Sequence, residues 1–85
     1  MNLRVLYFAR LREALGLAQE DITLPGGIGD IASLMTWLSA RGAPWQQEFG
    51  AGGRLRAAIN QQLAGSESRF KSGDEIAFFP PVSGG

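Results

Sequence analysis

The sequence contains no cysteine and no histidine, which removes most familiar catalytic chemistry from consideration. Without thiols there is no disulfide framework, no thiolate metal site and no cysteine nucleophile. Without imidazole there is no serine triad and no histidine metal cluster. Any sulfur handled by this chain must ride on something other than a side-chain thiol. An excess of one charge is lacking too: eight basic residues balance eight acidic ones, so no overall field draws the protein to nucleic acid or an anionic membrane. No apolar run approaches the roughly 18 residues of a membrane span, and Met1-Asn2-Leu3-Arg4 lacks the basic start and apolar stretch of an export signal. A soluble, cytoplasmic protein with no nucleic-acid or membrane partner is expected. With 85 residues, 45% of them hydrophobic, the chain is one small domain with a modest core, too short for a two-domain enzyme.

Several segments are rich in β-formers. Asn2 to Phe8 reads as a first strand with Leu3, Val5 and Tyr7 on one face and Arg4, Leu6 and Phe8 on the other. Ala9 to Leu15, closed by Gly16, suggests one or two helical turns. Gln19 to Leu24 reads as a second strand with Ile22 and Leu24 inward, ended by Pro25-Gly26-Gly27. The clearest helix spans Asp30 to Arg41, because Ile31, Leu34, Met35 and Leu38 recur at helical spacing. Asp30 suits its first turn and Gly42 its C-terminal end. Trp37 falls beside that stripe as a half-buried packing residue. Ala43 to Gly53 is irregular or briefly helical. Arg54 to Asn60 reads as a third strand with Leu55, Ala57 and Ile59 inward, and Asn60-Gln61-Gln62 turns into a short strand near Leu63. Gly65 to Ser72 is a polar loop in which Phe70 plugs the core. Ser72-Gly73-Asp74 then turns into a last strand, Glu75 to Phe79.

One main helix against five strands, one of them short, in this order gives an α+β domain of the β-grasp, ubiquitin-like kind, a mixed sheet packed on that helix. A single helix covers one sheet face. If Leu3, Val5, Tyr7, Ile76 and Phe78 pack under it, alternation sends Leu6, Phe8, Ala77 and Phe79 to the opposite side, with Leu63 nearby. An uncovered apolar cluster of this kind marks a binding surface unless the polar loops fold over it.

Other candidates carry less. Gly27-Ile28-Gly29-Asp30-Ile31-Ala32 matches the G-x-G-x-x-A spacing of a dinucleotide fingerprint, but Glu48 about 20 residues on has no strand around it and the chain is too short for the rest of that domain. The glycines are better explained as the turn feeding the helix. The carboxylate pairs Glu20/Asp21 and Asp74/Glu75 fall at strand ends, where solvated turn roles are expected. Arg54 and Arg56 share the outward side of a strand and serve either partner recognition or an ordinary solvated edge. Nothing internal looks catalytic, and no metal or resident cofactor is expected.

The remaining signal is at the end of the chain, Phe79-Pro80-Pro81-Val82-Ser83-Gly84-Gly85. Two prolines hold the backbone extended and offer no donor, so the segment leaves the sheet and projects. Gly84 and Gly85 have no Cβ, so an enzyme can close tightly around the terminal carboxylate. Residues 1–80 are therefore expected to form the domain and 81–85 a flexible tail; a frayed terminus is the plainer alternative.

The run Phe70-Lys71-Ser72-Gly73-Asp74-Glu75-Ile76-Ala77-Phe78-Phe79-Pro80-Pro81-Val82-Ser83-Gly84-Gly85 resembles the ending of the small subunits of molybdopterin synthase. Tyr7-Phe8-Ala9-Arg10-Leu11-Arg12-Glu13 and Ala57-Ala58-Ile59-Asn60-Gln61 resemble the same family, while 25–53 carries only a general helical likeness. The resemblance implies a β-grasp sulfur carrier. A terminal carboxyl with a pKa of about 3.3 to 3.7 is ionised at neutral pH and resists nucleophiles, so it must be activated. In the family an ATP-dependent activating enzyme, similar to ubiquitin-activating enzymes, adenylates the terminal glycine, and sulfur from a sulfur-donating enzyme replaces AMP to leave a thiocarboxylate. The large synthase subunit, in a heterotetramer, then supplies the pocket and catalytic groups where that sulfur passes to cyclic pyranopterin monophosphate, two donations completing the dithiolene. Carried over by position, Gly85 is the acyl carrier, Gly84 the residue that lets it reach, and Phe8, Leu63 and Phe79 are partner contacts, with Pro80, Pro81, Val82 and Ser83 forming the inserted tail. Open alternatives are a thiamine-type sulfur carrier, against which Phe78-Phe79-Pro80-Pro81 speaks, a ubiquitin-like modifier of lysines, and an interaction domain with an inert tail.

Overall fold

The alternation in the first strand is realised in full. In the computed structural model, which describes residues 1–50 and 54–81, β1 runs Asn2–Tyr7 with Leu3, Val5 and Tyr7 buried. The chain then reverses abruptly. Ala9 takes a left-handed φ of 55°, a conformation that costs an L-residue about 1–2 kcal/mol, and leads into helix α1, Ala9–Leu15. Gly16 ends that helix at φ 68°, its N–H donating to the Arg12 and Glu13 carbonyls, which is why a glycine stands there. Strand β2, Gln19–Thr23, returns antiparallel to β1 with Leu3 opposite Ile22 and Val5 opposite Glu20.

Helix α2, Ile31–Ser39, buries Ile31, Leu34 and Leu38. Asp30 caps it: its side chain accepts from the Ser33 N–H at 2.8 Å, and the Asp30 N–H donates back to Ser33 Oγ at 3.3 Å, a reciprocal box that satisfies first-turn donors. The next donors are met by the loop that carries Ser66 and Ser68, where Ile31 N–H reaches the Ser68 carbonyl and Ala32 N–H the Ser66 carbonyl. Gly42 does not close this helix as its position suggests. The last turn tightens through i→i+3 bonds, Ala40 N–H to Trp37 and Arg41 N–H to Leu38, and the cap is Ala40 at φ −83°. Gly42, at φ 141°, instead forms the corner into α3, Ala43–Phe49. That segment, expected to be irregular or briefly helical, is two helical turns. Pro44 sits in the first turn, where its missing N–H costs nothing, and Phe49 is driven into the core.

Strand β3, Arg56–Ile59, and strand β4, Gln62–Ala64, form a hairpin. Its loop is two residues, Asn60 and Gln61, at φ 49° and 70°. Both lie in the left-handed region that a tight hairpin matching the strand twist requires, so Gln62 belongs to the strand. Strand β5, Glu75–Phe79, follows Gly73 at φ 92°. The sheet order is β2-β1-β5-β3-β4, with β1 and β5 parallel at the centre and the other pairs antiparallel. All three helices supply residues to one core with Tyr7, Phe70, Ile76 and Phe78. Among the described residues no helix is long and apolar enough to cross a membrane.

Candidate functional site

The three helices leave the opposite sheet face bare. Strand register places Leu6 opposite Ala77, Ala77 opposite Ala58 and Ala58 opposite Leu63, so one row of four apolar side chains crosses four strands. The two alanines make a low floor between Leu6 and Leu63. The next row toward the C-terminus holds Phe79 opposite Arg56, and Phe8 follows β1 on the same side, its N–H bonded to the Phe78 carbonyl at 3.2 Å. Leu63 is 69% exposed and Phe8 46%; Phe79 is half-buried. Covering either of the first two would return a large part of the about 1.5–3 kcal/mol that a buried side chain of this size contributes. Leu6 and Ala77 are half-buried and Ala58 is buried between its neighbours, so the exposed apolar surface is at Leu63 and Phe8.

The far half of the same face is polar. Arg4 Nε pairs with Asp21 at 3.2 Å and Thr23 Oγ1 donates to Asn2 Oδ1 at 2.9 Å, while Glu75 sits opposite Arg4. Both members of that ion pair are largely exposed, so its contribution to stability is small. Its role is to bound the apolar half, which is thereby confined to the end where the chain leaves the sheet. Pro80 and Pro81 depart there, beside a cleft lined by Arg10, Gln47, Glu48, Arg54 and Leu55. Phe8, Leu63 and Phe79 thus share one face, Pro80 and Pro81 leave from its end into a cleft shared with α1 and α3, and Val82, Ser83, Gly84 and Gly85 lie outside the described residues. Ala58 completes the floor and was legible from the β3 alternation; Arg56 stands beside Phe79 for the same reason.

The carboxylate pairs behave differently from expectation. Glu20 and Asp21 lie inside β2, and only Asp21 faces solvent. Glu20 points to the helix side, opposite Val5, with its side chain 18% exposed. It accepts from Tyr7 Oη at 2.7 Å and from both terminal nitrogens of Arg41 at 2.6 and 3.1 Å. The Arg41 guanidinium lies over the rings of Trp37 and Trp45, 5.1 and 4.6 Å from their centroids. Burial works against the Glu20 charge, but the hydrogen bonds from Arg41 and Tyr7 outweigh it and hold its pKa below the ordinary value. Burial, then the hydrogen bond to Glu20, pushes the Tyr7 phenol far above its ordinary range. This network ties the α2–α3 corner to β2 and is a brace: among the described residues no buried side-chain nitrogen or oxygen is left without a partner. Asp74 keeps the turn role its position suggested but is buried: hydrogen bonds from the Lys71 N–H and from Asn60 Nδ2 lower its pKa. Among the described residues no cluster of carboxylates could hold a metal ion.

A five-stranded mixed sheet, helices on one face and an open apolar face beside the departing end, defines a ubiquitin-like β-grasp protein. The chain belongs to the ThiS family, whose model matches residues 5–85. It is 42% identical to a molybdopterin synthase sulfur carrier subunit of Haemophilus influenzae, over 98% of this chain and 99% of that one. The subunit of the same description from Escherichia coli is 34% identical over the same shares. Among solved structures it is similar to the small archaeal modifier protein 1 of Methanosarcina acetivorans, with 30% identity, a TM-score of 0.71 and 99% and 96% of the two chains covered. It also shares its fold with a subunit in the complex of subunits 1 and 2 of molybdopterin-converting factor from Helicobacter pylori, at 24% identity, a TM-score of 0.66 and full coverage of both chains.

Proposed function

We propose that this chain is the sulfur carrier subunit of a molybdopterin synthase, and that the carboxyl of Gly85 is its working group. The observation that carries the reading is the similarity, over nearly the whole of both chains, to sulfur carrier subunits of that synthase, beside a family match that extends to Gly85. The open row Leu6-Ala77-Ala58-Leu63, with Phe8 and Phe79 at its end, supports it by giving a partner a dry surface next to the root of the tail.

The chemistry follows from the carboxylate. Attack of the Gly85 carboxylate on the α-phosphorus of ATP, on an activating enzyme, yields an acyl adenylate and pyrophosphate. A sulfur nucleophile at the sulfide level then displaces AMP, leaving a thiocarboxylate. The carrier docks by its apolar face on the large subunit of the synthase, in a heterotetramer, and Pro80 and Pro81 direct Val82, Ser83, Gly84 and Gly85 into the active site. There the sulfur passes to cyclic pyranopterin monophosphate and the carboxylate is regenerated. Phe8, Leu63 and Phe79 anchor the docking, and the chain needs no metal and no resident cofactor. Intact mass spectrometry after incubation with ATP, the activating enzyme and a sulfur source should show one oxygen replaced by sulfur. Deleting Gly85 should abolish that gain and leave the urea midpoint unchanged; a mass that stays constant in a mixture competent for a known carrier would end the proposal.

A second reading as a protein modifier is favoured by the likeness to a small archaeal modifier protein. Both share the activation step and part at the acceptor. Adducts joined through Gly85 to lysines of other proteins would support the modifier, and sulfur transfer to the pyranopterin the carrier.

A further inference from the structure

The net charge is zero, yet the charges are not evenly spread. Among the described residues the ion pairs are Arg4 with Asp21 and Arg41 with Glu20. Arg10, Arg54 and Arg56 belong to neither, and all three are exposed. They come from separate parts of the chain to one place. Arg10 on α1 and Arg54 ahead of β3 line the cleft that also contains Pro80 and Pro81, and Arg56 stands opposite Phe79 on the open face. The carboxylate among the described residues of that cleft is Glu48, against the two cations Arg10 and Arg54, and Arg56 adds a third cation on the neighbouring strand position. At the other end of the face, Asp21 and Glu75 flank Arg4. The tail end of the sheet therefore carries a positive excess, part of it in the cleft beside α1 and α3 and part, Arg56, on the open face, while the far end of that face carries the carboxylates.

We infer that Arg10, Arg54 and Arg56 form a positive collar around the root of the tail that docks against carboxylates rimming the tail-accepting channel of the large synthase subunit. The inference rests on the reading proposed above and adds the chemistry of the rim to it. A flat apolar row is nearly symmetric and cannot by itself tell a partner which way to approach. Three exposed cations at one end, and carboxylates at the other, orient the carrier tail-first before the apolar surfaces touch. Exposed charges at a rim act mainly on the rate of encounter and are screened by salt, whereas the apolar contacts govern how long the complex lasts.

The test is stopped-flow association of the full chain with its large subunit, comparing wild type, Arg10→Glu/Arg54→Glu, and a control with the same charge change elsewhere, Arg69→Glu/Lys71→Glu. If either pair lowers the urea midpoint, glutamine replaces glutamate in both. The collar variant should associate about tenfold more slowly at about 20 mM salt and within about twofold of wild type at about 500 mM, with an unchanged dissociation rate. The control should follow wild type. An unaltered rate at low salt, an equal loss in the control, or a loss confined to binding of the activating enzyme would each overturn the inference. Failure of the parent reading looks different: wild type would gain no sulfur at Gly85, whatever the association rates.

Discussion

Leu63→Ala separates a docking residue from a packing residue most sharply. The substitution removes three carbon atoms, worth about 0.8 kcal/mol each when fully buried, or about 2.4 kcal/mol in total. Leu63 is 69% exposed in the free chain, so about 0.69 of that, roughly 1.7 kcal/mol, is still to be gained when a partner covers it. At about 1.4 kcal/mol per decade, L63A should weaken binding to the large subunit by about fifteen- to twentyfold, while folding stability changes by less than about 0.5 kcal/mol. Titration calorimetry against the large subunit reads the first number and urea unfolding the second. Leu34→Ala supplies the contrast: Leu34 has no exposed surface, so its truncation should cost about 2–5 kcal/mol of stability. The docking argument fails if L63A binds within twofold of wild type, or if its loss of binding is matched by a loss of stability like that of L34A.

The brace on the helix side predicts a pH signature. Because the folded-state pKa of Glu20 lies below its ordinary value, its contribution is complete above about pH 4.5, the unfolded range, and is lost as pH falls through the lower folded value. Glu20→Gln should therefore be less stable than wild type at neutral pH, with the gap narrowing toward about pH 3 in urea unfolding; a gap that is constant or widens in acid would refute the assignment. Two glycine substitutions should diverge. A Cβ on Gly50 would run into the Gln46 backbone carbonyl, whereas one on Gly29 would meet the tip of Arg69, 2.7 Å from Nη2, which can swing away. Gly50→Ala should cost about 1–3 kcal/mol and Gly29→Ala less than about 0.5 kcal/mol by thermal unfolding. Similar losses for both would contradict the packing described at these positions.

The parts of the fold readable from sequence are those set by local alternation. Leu3, Val5 and Tyr7, and likewise Ile76 and Phe78, alternate with their neighbours, and this parity places Phe8 and Phe79 on the bare face without knowledge of the pairing; Leu63 is expected only nearby, and the β3–β4 register sets it in the row. The Glu20 brace was illegible because its partners are distant: Arg41 lies 21 residues on and Tyr7 13 back, and only strand pairing turns Glu20 toward them. Helix α3 was obscured by Pro44 and the surrounding glycines. Pro44 occupies a first-turn position, and Trp45 and Phe49, four residues apart, are the helical signal that composition hides. Gly42 misled for a related reason, since a glycine after one helix and before another can serve either, and here it serves the second. Sequence alone leaves Arg54 open between partner recognition and a solvated edge, and Arg10 a plain helix former; the topology sets both beside Pro80 and Pro81.

The parallel pairing of β1 with β5, Arg4 beside Glu75 through Tyr7 beside Phe78, links segments about seventy positions apart. A nascent chain still inside the ribosome cannot make that ladder, because its last strand has yet to emerge. Without it Phe79 and Ala77 are missing from the docking floor, and Val5 and Tyr7 have no central neighbour on that side. Unfinished polypeptides therefore lack the apolar row that runs from Leu6 through Ala77 and Ala58 to Leu63. The open surface is thus a product of topology: it is complete only in a molecule whose two extremities have met.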